Sequence, residues 1–206
     1  YDYQEPRISR ALLKGKVDAI IIFDWRHDIS NYIWLKELGL PTVFVNQDLK
    51  GVDFDAVCCD NELGGALAAD WMIGCGKRQT AILMAQPESP APTARMYGFQ
   101  RQLRLKRFPE PVIIDCKTIS GMDSTANAYE KFSAYINKHG LNFSSLFCDS
   151  DFGALGVLKA CQDLNIKVSE ELSIIGYDNM PEGRFLHPSL SSIDQNLERG
   201  GYEAAK

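Results

Sequence analysis

The sequence lacks the two features that most directly mark membrane and nucleic-acid proteins. It has no apolar stretch of about 18 residues, so no membrane-spanning helix is predicted. It also has no excess of basic residues, because 22 Lys and Arg stand against 27 Asp and Glu, for a formal net charge of -5. Binding to a phosphate backbone requires a basic face. The segment itself is therefore not expected to bind nucleic acid.

Metal-site and disulfide patterns are missing as well. The three histidines are scattered and no cysteine pair has C-x-x-C spacing, so no metal site is predicted. At 206 residues and 45% hydrophobic composition the chain can bury a core without disulfides. Most of the cysteines lie in apolar runs, which favours free buried thiols in a reducing cytosol. The cysteines are Cys58, Cys59, Cys75, Cys116, Cys148 and Cys161.

Enzymatic motifs are also absent. No G-x-S-x-G elbow occurs, and no nucleophile stands beside a base. The segment 74–77 (GCGK) resembles part of a phosphate-binding loop, but Trp71 stands where that loop needs glycine and Arg78 replaces its Ser or Thr. The same segment fails the dinucleotide pattern at Gln79. We therefore expect neither an enzyme nor a bound cofactor.

The chain does contain a regular alternation of apolar strands and helices. Helical segments end at Gly39, Gly74 and Gly140, and two of them start just after Asn61 and Ser124. Continuous apolar strands joined by helices predict an α/β fold with a doubly wound parallel sheet. The predicted strands are 17–23, 42–45, 56–59, 80–85, 111–115, 145–148, 172–175 and 190–193.

Polar residues follow several of these strands directly: Asp24, Asn46, Ser150, Asp151 and Asp178. Parallel sheets bind ligands at the carboxyl ends of their strands, so these side chains are candidates for a ligand site. Each also has a structural alternative, since Asp, Asn and Ser in these places cap the following helix or fold a turn.

Arg95 adds a donor to this set. It lies near the start of a helix, after the proline-rich segment 86–92. The helix dipole disfavours a cation there, so a carboxylate or a ligand oxygen is expected beside it. Arg95 and Asp178 together offer the donor and acceptor that polyhydroxylated ligands use. Trp25 and Phe147 are candidate apolar platforms for a ligand, although such aromatics are more often core residues.

The same residues carry a likeness to a known family. The segments 17–21 (VDAII), 57–69 (VCCDNELGGALAA), 95–99 (RMYGF), 147–156 (FCDSDFGALG), 172–178 (LSIIGYD) and 187–193 (HPSLSSI) occur in this order. They resemble the V-D-G-I-I, D-N…G-G…A, R-x-x-G-F, A-L-G, S-I-I-G-Y-D and P-x-L-T-T-I motifs of lac- and galactose-repressor-type regulators (the LacI/GalR family). The likeness covers nearly the whole chain.

This resemblance implies two Rossmann-like subdomains, as in periplasmic binding proteins, with a ligand cleft between them. The first subdomain is expected at residues 1–59 and 193–206 and the second at 60–192. Arg95 and Asp178 are implied as the leading ligand contacts. Asn46 takes the place of a usual Asp and Ser150 the place of a usual Asn, while Gln195 sits at a hinge position that faces the ligand.

By resemblance, the chain is the effector-binding and dimerisation region of a cytoplasmic, ligand-responsive transcriptional regulator. Its partners would be a sugar-like effector, operator DNA through a headpiece, and a second copy of the chain. The family's headpiece and first β-α-β unit precede the first motif, so the sequence is interpreted as truncated at both ends, with an incomplete first subdomain. The alternatives are a periplasmic sugar-binding protein of a transporter, which unpaired cysteines disfavour, and an enzyme on the same scaffold.

Overall fold

The chain forms two compact units of alternating strands and helices. The computed structural model describes residues 15–23, 35–36, 39–46, 53–86, 90–118 and 122–206. The smaller unit comprises Tyr1–Cys59 and Glu198–Lys206, and the larger unit comprises Asp60–Leu197. In the described residues the strands are β1 (Ile20–Ile22), β2 (Thr42–Val45), β3 (Asp55–Val57), β4 (Thr80–Met84), β5 (Val112–Asp115), β6 (Ser145–Cys148), β7 (Ser173–Tyr177) and β8 (Ser191–Ile193).

The helices alternate with these strands. Those whose bounds are defined are α1 (Asn61–Gly74), α2 (Pro90–Leu105), α3 (Ser124–His139), α4 (Asp151–Asp163) and α5 (Leu197–Ala204), with a 3-10 helix at Pro181–Phe185. Each of the eight strands lies where the sequence predicts one, with bounds that differ by at most three residues. The prediction of an α/β fold is confirmed.

The smaller unit contains a three-stranded parallel sheet in the order β1-β2-β3. Phe44 on the central strand is fully buried and packs with Leu35 and Phe54. The ring centroids of Phe44 and Phe54 lie 5.2 Å apart. A small apolar cluster therefore covers the middle of this sheet.

The larger unit contains a five-stranded parallel sheet in the order β5-β4-β6-β7-β8. Every residue of β4 and β6 is buried, as expected of central strands that are covered on both faces. One apolar cluster packs α3 and α4 on the sheet, through residues such as Phe132 and Val157. A separate cluster contains Met72 from α1 and Phe99 from α2. The sheet is thus doubly wound.

Two helices of the larger unit begin one residue earlier than the sequence predicts. Asn61 and Ser124 are the first helical residues rather than the residues before the helix. Asp60 caps α1 by accepting a hydrogen bond from the Leu63 N–H at 2.8 Å, and Asp123 caps α3 in the same way. A carboxylate satisfies the free N–H groups of the first turn and also suits the helix dipole.

The chain returns to the smaller unit at Glu198 rather than at residue 193. Ile193 instead completes β8, which pairs with Tyr177 of β7 at the edge of the larger sheet. The pairing of β8 fixes residues 191–193 in the larger unit, so the return follows the strand.

Cysteine and helix properties complete the description. Cys116, Cys148 and Cys161 are free thiols and are buried, and burial raises the pKa of the Cys116 thiol to about 12. In the part of the chain that the structure describes, no helix has both the length and the apolar character needed to cross a membrane. The same residues hold no group of three or more potential metal ligands.

Candidate functional site

Polar side chains from three elements meet at the carboxyl edge of the larger sheet. Arg95 projects from α2, Asp178 follows β7, and Gln195 follows β8. The Arg95 Nη1 lies 3.7 Å from the Asp178 Oδ1, and the Gln195 Nε2 donates a hydrogen bond to the same oxygen. The structure therefore brings together three of the residues that the sequence and the resemblance single out.

The Arg95 guanidinium is buried and held from several directions. Its Nε donates to the Asn61 Oδ1 at 2.9 Å, and its Nη1 donates to the Asp149 carbonyl oxygen at 2.6 Å. Its Cζ lies 3.7 Å from the centroid of the Tyr177 ring, a cation–π distance. Arg95 is only 6% exposed. These contacts offset the cost of burying the charge and fix the plane of the guanidinium.

Glycines let the two helices that carry Arg95 and Asn61 approach each other closely. A Cβ at Gly65 of α1 would collide with the Arg95 carbonyl oxygen, and a Cβ at Gly98 of α2 would collide with the Glu62 carbonyl oxygen. Backbone therefore packs on backbone where α1 crosses α2. This contact sets the position of Arg95 beside the first turn of α1.

Asp178 is largely enclosed by these neighbours. Its side chain is 17% exposed, and its backbone has a φ of 121°, a value that favours glycine. Burial raises the pKa of its carboxyl to about 6, while Arg95 and the hydrogen bond from Gln195 act in the opposite direction. Strained backbone at a buried carboxylate is a feature found at binding sites.

Two further carboxylates lie close to this cluster: Asp151, which the sequence includes among the candidates that follow strands, and Asp149, which it does not. Asp149 is fully buried beside Arg95, and burial raises its pKa to about 6. Asp151 is 2% exposed and accepts hydrogen bonds from the Met180 N–H at 2.8 Å and the Ser192 hydroxyl at 2.7 Å. Asp151 thus ties the loop after β7 and the strand β8 to α4. The signal in the sequence is the run D-S-D directly after a wholly apolar strand.

The raised pKa of Asp149 predicts that stability depends on pH. Because the folded chain holds this proton up to about pH 6, against 3.8 for an unperturbed carboxyl, ionisation destabilises the fold as pH rises between these values. Asp149→Asn, which stays neutral, is expected to gain stability relative to the native chain from pH 4 to pH 7, by more than about 1 kcal/mol. Urea unfolding at each pH measures this gain.

The control for this variant is Asp115→Asn, which changes the exposed carboxylate at the last residue of β5. It is expected to show no such gain across the same pH range. If Asp149→Asn and the native chain keep a constant difference in unfolding free energy, the buried carboxyl is not the source of the pH dependence.

Other predicted residues lie elsewhere or have another role. Ser150 caps α4, where its hydroxyl accepts a hydrogen bond from the Gly153 N–H at 3.2 Å. Phe147 is fully buried in the core, 5.2 Å from the Phe99 ring between centroids. The interpretation of Phe147 as a ligand platform is therefore wrong for this structure, because β6 is covered on both faces.

Asn46 belongs to the smaller unit and follows β2 directly. Its backbone has a φ of 61°, and its Oδ1 accepts a hydrogen bond from the Cys59 Sγ at 3.7 Å. Cys59, which lies two residues after the end of β3, thus orients the Asn46 side chain. Asp24 and Trp25 lie outside the described residues.

Comparison with known families gives a match to the larger part of the chain. Residues 69–206 match the family described as periplasmic binding protein-like domain. Over 96% of its length the chain is 28% identical to the ribose operon repressor of Lactococcus lactis, of which it spans 57%. Over 94% of its length it is 29% identical to the transcriptional repressor PurR of Haemophilus influenzae, of which it spans 56%. The chain thus covers less than two thirds of these relatives.

Solved structures show the same fold. A LacI-family regulator from Burkholderia phymatum aligns with a TM-score of 0.82 and 22% identity, over 95% of this chain and 70% of that one. A LacI-family regulator from Enterococcus faecium, solved with bound ribose, aligns with a TM-score of 0.81 and 23% identity, over 95% of this chain and 71% of that one. The matched proteins are thus regulators of the type that the sequence motifs resemble.

Proposed function

We propose that this chain, which belongs to the family of periplasmic binding protein-like domains, is the effector-binding region of a ligand-responsive transcriptional regulator. The observation that carries this proposal is the buried cluster of Arg95, Asp178 and Gln195 at the carboxyl edge of the larger sheet. Open parallel sheets bind ligands at that edge. The two relatives named above are both repressors, which supports regulation of transcription as the output.

The chemistry of the cluster favours a small uncharged ligand rich in hydroxyl groups, such as a sugar. Among the described residues of the cluster, Arg95 is the one cation and faces Asp149 and Asp178. An anionic ligand would meet a surplus of negative charge there. Hydroxyl groups suit the site better, because they donate to a carboxylate and accept from a guanidinium.

The proposed mechanism is linkage between two binding events. An effector bound at the Arg95 cluster would favour one conformation of the chain, and that conformation would set the spacing of two DNA-binding headpieces in a homodimer. Coupling of this kind typically amounts to about 1–3 kcal/mol, or a 5- to 150-fold change in operator affinity. No catalytic step and no cofactor enters this mechanism, which would operate in the cytoplasm.

A thermal-shift panel tests the proposed ligand class. Ribose, galactose and glucose are compared with ribose 5-phosphate, hypoxanthine and guanine. A neutral sugar at 100 times its dissociation constant is expected to add about 2.7 kcal/mol of stability, which raises the melting temperature of a chain of this size by about 5–10 °C. A shift produced only by the phosphorylated sugar or by a purine would contradict the assignment.

The coding sequence upstream of Tyr1 in the native gene distinguishes a regulator from the alternative function, a transporter's binding protein. A helix-turn-helix headpiece is expected for a regulator, and a secretory leader for a periplasmic sugar-binding protein of a transporter. Free thiols at Cys75, Cys116, Cys148 and Cys161 weigh against an oxidising periplasm. A secretory leader in frame with Tyr1 would overturn the proposed output while leaving the sugar site in place.

A further inference from the structure

A cavity of about 200 Å³ opens at the opposite edge of the larger sheet from Arg95 and Asp178. Its wall includes Ser173 and Ser191, the first residues of β7 and β8. Because all five strands of this sheet run parallel, the amino ends that form the cavity lie at the edge away from Asp178 and Gln195. The cavity is therefore separate from the candidate effector site.

One aromatic residue and several serines line the wall of this cavity. Trp71 of α1 and Leu158 of α4 contribute apolar surface. The four serines of the wall are Ser169, Ser173, Ser189 and Ser191. In the part of the chain that the structure describes, none of these four hydroxyls has a hydrogen-bond partner within the protein.

The wall carries no charged side chain among the described residues. A charged ligand would thus lose its hydration without gaining a counter-charge. A flat apolar ring would stack on the Trp71 indole, and hydroxyl groups on that ring would pair with the serine hydroxyls. The volume suits a molecule of one ring.

We propose that this cavity is a second small-molecule site, which takes an uncharged hydroxylated aromatic ring. The elements that form it also reach the first site. The helix α1 supplies Trp71 here and Asn61 beside Arg95, and β7 runs from Ser173 to Tyr177. A ligand in the cavity contacts the same rigid elements that hold the Arg95 guanidinium.

Resorcinol, which is neutral at pH 7 and has one ring with two hydroxyls, is the probe. In two-dimensional nitrogen–proton NMR spectra of the whole chain, it is expected to shift the Trp71 indole N–H and the Ser173 and Ser191 amides saturably. Ser189→Tyr fills the cavity from its rim and is expected to weaken this binding at least about tenfold. Ala134→Tyr, which adds the same ring on the exposed face of α3, is expected to bind as the native chain does.

Three results would overturn the proposal. The first is the absence of saturable shifts at these resonances, and the second is equal binding by the Ser189→Tyr variant. The third is a set of shifts at the same resonances that follows protein concentration without resorcinol, which would assign the cavity to contact with a second copy. The native fold of each variant is checked in the same spectra by the dispersion of its other amide signals.

Discussion

Replacing Arg95 with lysine is expected to lower effector affinity by about two to three orders of magnitude, since breaking the hydrogen bonds of a buried charged group costs about 2–5 kcal/mol. Lysine keeps the positive charge but loses the planar fork that reaches Asn61 and the Asp149 carbonyl together. It also loses the stacking on Tyr177. The change in affinity is measured by titration calorimetry, with the sugar that raises the melting temperature in the thermal-shift panel.

Arg101→Lys is the matched control, because Arg101 lies on the same helix but its side chain is 69% exposed and pairs with Glu62 at the surface. It is expected to bind the effector like the native chain. Asp178→Asn keeps the shape of the side chain and removes its charge, so it is expected to lose affinity alongside Arg95→Lys. Unchanged affinity in both Arg95→Lys and Asp178→Asn, in folded protein, would remove the cluster from the binding site.

Much of the fold could be predicted because its signals are local. Central strands such as β4 and β6 are apolar after their first residue, and Gly74 and Gly140 end two of the helices, so the strand and helix pattern is visible along the chain. The pairing of Arg95 with Asp178 was also predictable, because a guanidinium near a helix start indicates a missing acceptor and Asp178 directly follows an apolar strand.

The rest of the site depends on contacts between distant segments. Asp149 is a site residue because Arg95, 54 positions away, donates to its carbonyl oxygen. Tyr177 supports the guanidinium because Gly64 leaves room for its ring. The interpretation of Phe147 as a ligand platform failed because β6 is covered on both faces. Every side chain of such a strand is buried, so its sequence shows no ligand-facing side.

Gly65→Ala is expected to lower the free energy of unfolding by about 3 kcal/mol, at the upper end of the usual cost of overpacking. The added Cβ would collide with the Arg95 carbonyl oxygen, which belongs to the backbone of α2 and has little freedom to move. Urea unfolding measures the loss, with Trp25 and Trp34 replaced by Phe so that the fluorescence of Trp71 reports on the larger unit.

Gly74→Ala is the matched control in the same helix. Gly74 is the last residue of α1, and a Cβ there would meet nothing within 4 Å. Alanine there restricts the unfolded chain and favours the helix, so this variant is expected to gain about 0.5–1 kcal/mol. One chemical change in one helix is thus expected to act in opposite directions at two positions.

Gly65→Ala also connects the packing of the helices to the proposed function. Any relaxation that relieves the overlap moves the Arg95 backbone away from α1, and the guanidinium moves with it relative to Asn61 and Asp178. Effector affinity is therefore expected to fall in a variant whose altered atom lies outside the ligand contacts. Equal gains of stability in Gly65→Ala and Gly74→Ala would mean that helix propensity alone sets the effect of alanine, and that no close contact with α2 requires the glycine at position 65.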